Sequence, residues 1–165
     1  MNLFTGAVAD EFFGGDVPAS VRGILHRAAQ SPRDEVGSLL WTAQALAPTC
    51  LPIYYALYKH HASRRELEMA QRAARRGLLE SASQAGLPQN WRSVEPGMPA
   101  AGFGNNGPAR FWLFTLKALA FLALRQHKVG EARELLAQIA RLDPAARIGD
   151  DVIASLLASM GPDRS

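Results

Sequence analysis

Apolar residues recur along this chain at intervals of three and four, the spacing that stripes one face of a helix. The stretch after residue 110 shows it best. Leu116, Leu119, Ala120 and Ala123 fall on one helical face, and Ala132, Leu136 and Ile139 follow on a second. The same reading of the whole chain predicts helices at about 18–30, 33–47, 51–63, 65–85, 110–127, 129–142 and 149–160. Glycine and proline punctuate the breaks at Ser31-Pro32, Ala47-Pro48, Gly86-Leu87-Pro88 and Asp143-Pro144. No segment alternates apolar and polar residues in the manner of a strand, so the fold class is all-α.

The helical pattern is lost between Gly86 and Pro108, where Glu95-Pro96-Gly97, Met98-Pro99 and a glycine–asparagine run from Gly102 to Gly107 forbid regular structure. Loops of this length inside a compact domain are uncommon. Trp91, Met98 and Phe103 argue against a merely solvated linker. Two readings stay open: a flap that contacts a partner, or a loop that folds back and covers the groove with these residues.

Leu46-Ala47-Pro48 and Leu142-Asp143-Pro144 end two helical stretches in the same way. Counting back from each proline in 34-residue frames gives 17–50, 51–84 and, after an insertion over 85–112, 113–146. This period resembles the tetratricopeptide (TPR) helix-turn-helix repeat. Ala120 and Ala132 stand where that pattern wants small residues at a helix crossing, and Pro144 where it wants a stop. Ala70, Ala74 and Gly77 serve similarly in the second frame; the first departs at Ser20, Gly23 and Val36. The resemblance implies one domain over 1–165: an N-terminal segment 1–16, three helix pairs stacked as a right-handed solenoid, and a capping helix over 147–160. It also implies a groove whose lining comes from the first helix of each pair. The lining would include Tyr55 and Lys59, then Phe114, Lys117, Phe121 and Arg125. Cations beside aromatics suit an acidic, partly apolar segment of a larger protein. The bland reading is that Phe121 packs against the neighbouring unit.

Charge narrows the partner. The net charge is +3 at pH 7, with arginine far outnumbering lysine. That suits bidentate contact with carboxylates and falls short of a nucleic-acid footprint. A second docking candidate is the stripe Arg65, Arg72 and Arg76, with Trp91 and Phe103 from the loop; a charge run of this kind is more often a solvated face. The chemistry-bearing residues are sparse. His60 and His61 are adjacent, and adjacent helical residues diverge by roughly 100°, so a shared metal is not expected. Cys50 has no base implied by spacing. Gly102-x-Gly104-x-x-Gly107 matches a dinucleotide fingerprint in letters, but no strand precedes it. The expectation is a protein without catalytic set, metal or cofactor. No uninterrupted apolar run reaches the roughly 18–20 residues of a membrane span, and the lone cysteine fits a reducing cytoplasm.

Two stretches carry a narrower resemblance. One runs Leu51-Pro52-Ile53-Tyr54-Tyr55-Ala56-Leu57-Tyr58-Lys59; the other is Phe111-Trp112-Leu113-Phe114-Thr115-Leu116-Lys117-Ala118-Leu119-Ala120. Together they resemble small TPR proteins encoded among nitrogen-fixation genes, the nitrogenase-associated factors. That resemblance implies a non-catalytic accessory protein binding the molybdenum–iron component of nitrogenase during maturation, damage or repair. The alternatives are a short TPR chaperone that cradles a secretion substrate, and a generic TPR adaptor.

Overall fold

A computed structural model describes residues 17–99, 102–104 and 107–144; the predicted capping segment and residues 1–16 lie outside them. The described residues form six α-helices and one 3-10 turn, with no strand among them. The helices are α1 (Ala19–Gln30), α2 (Arg33–Leu46), α3 (Leu51–Ser63), α4 (Leu67–Ala85), α5 (Gly107–Arg125) and α6 (Val129–Leu142). Each packs against the next in chain order, and α3 also reaches α5.

The junctions follow from local chemistry. Ser31 is extended because the residue before a proline is pushed out of the helical region, and this separates α1 from α2. Pro52 sits in the first turn of α3, where its missing N–H costs nothing. Gly86 ends α4 in the left-handed conformation, φ +71°, and the Leu87 amide returns to the Ala82 carbonyl. The turns α3–α4 and α5–α6 are built alike. Arg65 and His127 take φ +60° and +59°, while Glu66 N donates to His61 O and Lys128 N to Ala123 O, each at 2.9 Å. The two left-handed residues are separated by the same interval as the starts of the second and third sequence frames, 51 and 113.

Helix α5 is buried on every side from Phe111 to Ala120, as expected of a helix apolar all round. By length and composition α5 could cross a membrane; 72% of its apolar window is instead buried within the fold. It begins at Gly107, earlier than the pattern predicted, because Pro108 fits a helix's first turn as well as a loop. The face of α4 turned inward is made of Ala70, Ala73, Ala74, Gly77 and Ala82, which lets α3 and α5 approach closely.

The insertion folds back. Val94 is fully buried, Phe103 stacks on Trp112 with ring centroids 5.8 Å apart, and Gln138 of α6 donates to the carbonyls of Trp91 and Val94. Arg92–Glu134 and Arg141–Glu95 ion pairs fasten the same segment along α6. Trp91, Val94 and Phe103 thus pack on α5 and α6, while Met98 stays exposed.

Candidate functional surfaces and a histidine cluster

The predicted groove residues separate on the structure. On α3, Tyr55 and Lys59 are both half-buried, with the ammonium 5.7 Å from the Tyr55 ring centroid. On α5, Phe114 is buried and Phe121 and Arg125 are half-buried. Lys117 departs most from expectation. Its ammonium is 2.8 Å from the Asp143 carboxylate, and both side chains are more than nine-tenths buried. A partner's acid would find that charge already neutralised. The expectation that Lys117 lines a groove open to an acidic partner is therefore corrected. A carboxylate in place of the Lys117 ammonium would face Asp143 across a dry contact, and like charges there are costly. The signal missed was the acid after α6, one helix pair's length away, where no sequence spacing points.

The outer candidate fares differently. Arg72 and Arg76 are exposed on α4, and Arg76 lies over the half-buried Trp41 ring of α2 at 5.5 Å. Such a stack orients the guanidinium while leaving its edge to solvent. Arg65 lies in the turn before α4 and not on the helix, so the stripe is two helical arginines with one at its head. Leu79, close to one helical turn beyond Arg76, is about half exposed. Trp91 and Phe103 are both half-buried; Arg92 covers Trp91 at 4.2 Å, and Phe103 is spent on Trp112. These two sit with α5 and α6.

Sequence reasoning passed over a polar cluster at the end of α3. His60 and His61 are both buried, and their rings stand 5.1 Å apart despite the divergence expected of neighbours. Trp41 Nε1 donates to His61 Nε2 at 3.0 Å, which makes that nitrogen the acceptor and places the ring proton on Nδ1. Nδ1 then donates to Glu66 Oε1 at 3.1 Å. Arg64 donates to the same oxygen at 3.2 Å and to Asp34 Oδ1 at 3.1 Å. The hydrogen bond from His61, with Arg64 beside it, holds Glu66 below the usual carboxylate range. Burial, reinforced by His61 and Arg64, pushes His60 down to about 4, so it is neutral at pH 7. Gly37 of α2 faces the pair: a Cβ there would lie in ordinary van der Waals contact with both rings, 3.4 Å from His60 Nε2 and 3.5 Å from His61 Cε1. The available signal was His-His at a helix end, with Glu66 just past the turn.

The chain is similar to an uncharacterised 19.8 kDa protein encoded in the nifW 5′ region of Azotobacter chroococcum mcd 1. The two are 28% identical over 148 residues, covering 89% of this chain and 83% of the relative. No family model and no solved structure matches. Association with nitrogen fixation is supported at that level.

Proposed function

We propose that this chain is a non-catalytic, cytoplasmic protein-binding factor of nitrogen fixation that associates with the molybdenum–iron component of nitrogenase during its maturation, damage or repair. The observation carrying this reading is the relative from the nifW region, aligned over most of both chains. The fold is compatible with it. We read the six described helices as three TPR-like pairs, since α1–α2, α3–α4 and α5–α6 follow the sequence frames and two of the turns share one geometry. Stacked pairs of this kind are binding scaffolds.

The docking surface that best suits an acidic partner is the outer face of α4, with Arg72 and Arg76 exposed beside Trp41, and Arg65 at its head. Arginine presents a planar fork to carboxylates, and an aromatic neighbour adds apolar area. The groove is the weaker candidate because Lys117 is committed to Asp143. The test is affinity capture of tagged chain from cells grown with and without fixed nitrogen, probing for the molybdenum–iron protein. Specific recovery under nitrogen-fixing conditions, lost in an Arg65/Arg72/Arg76→Ala variant, supports the reading. Recovery of a secretion substrate in its place would favour the chaperone alternative.

A further inference from the structure

We propose that the end of α3 binds a divalent first-row transition-metal ion through His60, His61 and Glu66. Each of these side chains offers a ligand atom, and the three atoms lie within 4.8 Å of one another. Two imidazoles with one carboxylate suit zinc, cobalt(II), nickel(II) or iron(II), and not the oxygen shells of calcium or magnesium. With metal–ligand bonds of about 2.1 Å, two ligands of one tetrahedral ion stand roughly 3.3 Å apart. His61 Nδ1 and Glu66 Oε1 are already 3.1 Å apart. The set as a whole contracts by up to about 1.5 Å to meet that geometry, and Glu66, on a turn with its side chain 43% exposed, is the arm that can move.

The second observation is His60 itself. It is 2% exposed, and its Nδ1 has no hydrogen-bond partner. A buried ring nitrogen left unsatisfied calls for an explanation. Gly37 brings the α2 backbone against both rings and closes one side of the cluster, while Glu66 leaves the other side open to solvent. The arrangement is a three-ligand site with an accessible further position.

Occupation has a defined proton balance. As the bond from Nδ1 of His61 to the metal forms, the Nδ1 proton leaves to solvent and Nε2 takes one up, so the ring stays neutral. Nε2 then presents a hydrogen to Trp41 Nε1–H, and that hydrogen bond breaks. Arg64 loses its contact with Glu66 and keeps the one with Asp34. Metal binding therefore carries two signatures beyond stoichiometry: a change at Trp41, and competition with the Arg64 cation.

The test uses the full chain, free of any affinity tag, titrated with Zn²⁺ by calorimetry and with Co²⁺ by visible absorption. One equivalent of each should bind, and tryptophan emission should respond in the wild type but not in Trp41→Phe. Glu66→Gln should weaken binding by about tenfold or more, a loss typical of a damaged site, while Arg64→Ala should tighten it. His60→Gln and His61→Gln should abolish it. If these buried variants unfold, Glu66→Gln and Arg64→Ala still decide, because both residues lie in the α3–α4 turn. The proposal fails if neither ion binds saturably. It fails equally if Glu66→Gln binds as the wild type does, or if binding leaves Trp41 emission unchanged. None of these results depends on the partner reading.

Discussion

Replacing Gly77 by alanine should destabilise this protein, although the same change in an open helix stabilises. In a helix interior, alanine is favoured over glycine by about 0.5–1 kcal/mol. At Gly77 the added Cβ would stand 2.8 Å from Tyr54 Cβ and 3.1 Å from two ring carbons of Phe111. Carbon atoms prefer about 3.5–4.0 Å, so roughly 1 Å of extra space is needed. Neither neighbour can supply it cheaply. Tyr54 Cβ is tied to the α3 backbone, and Phe111 is fully buried on α5. Overpacking of this kind costs about 1–3 kcal/mol, and two rigid neighbours place it near the upper end. The net expectation is a loss of about 2 kcal/mol, seen as a Tm lower by about 4–8 °C for a chain of this size. Gly23→Ala on α1 is the control, since nothing lies within 4 Å of its Cβ; it should stabilise by about 0.5–1 kcal/mol. Urea denaturation of the three proteins measures both values. Gly77→Ala as stable as the wild type would refute the close α3–α4–α5 crossing.

Other substitutions probe separate joints. Asp143→Ala strands the buried Lys117 ammonium and should cost about 3–5 kcal/mol, whereas Lys117→Met combined with Asp143→Leu should recover most of that in the same denaturation assay. Gln138→Ala removes the donor to two loop carbonyls; a loss of about 1–3 kcal/mol should accompany faster protease cleavage within 87–99, read by mass spectrometry. His127→Gly relieves a left-handed residue in the α5–α6 turn and should raise stability by about 1 kcal/mol in chemical denaturation.

Helix positions were legible because the apolar spacing, the prolines and Gly86 each act locally. Helices α1 to α4 and α6 fall within a residue or two of expectation for that reason. The start of α5 was hidden by Pro108 and the glycine run before it, which permit either a loop or a helix start. The fate of the insertion was not legible, because Gln138, Arg141 and Glu134 act on it from more than forty residues away. The same distance problem concealed the Lys117–Asp143 pair and thinned the expected groove. At the end of α3 the error was of another kind. Divergence of neighbouring side chains was weighed, but not the turn that swings Glu66 back to His61.

The central claim is direct association with an acidic surface of nitrogenase, and one measurement addresses it: calorimetric titration of the purified chain with purified molybdenum–iron protein at low and high salt. We expect saturable binding that weakens as salt rises, and that weakens further when Arg65, Arg72 and Arg76 are replaced by alanine with helicity unchanged. Absence of binding at either salt would contradict the assignment; binding untouched by salt and by the arginine replacements would contradict the docking face.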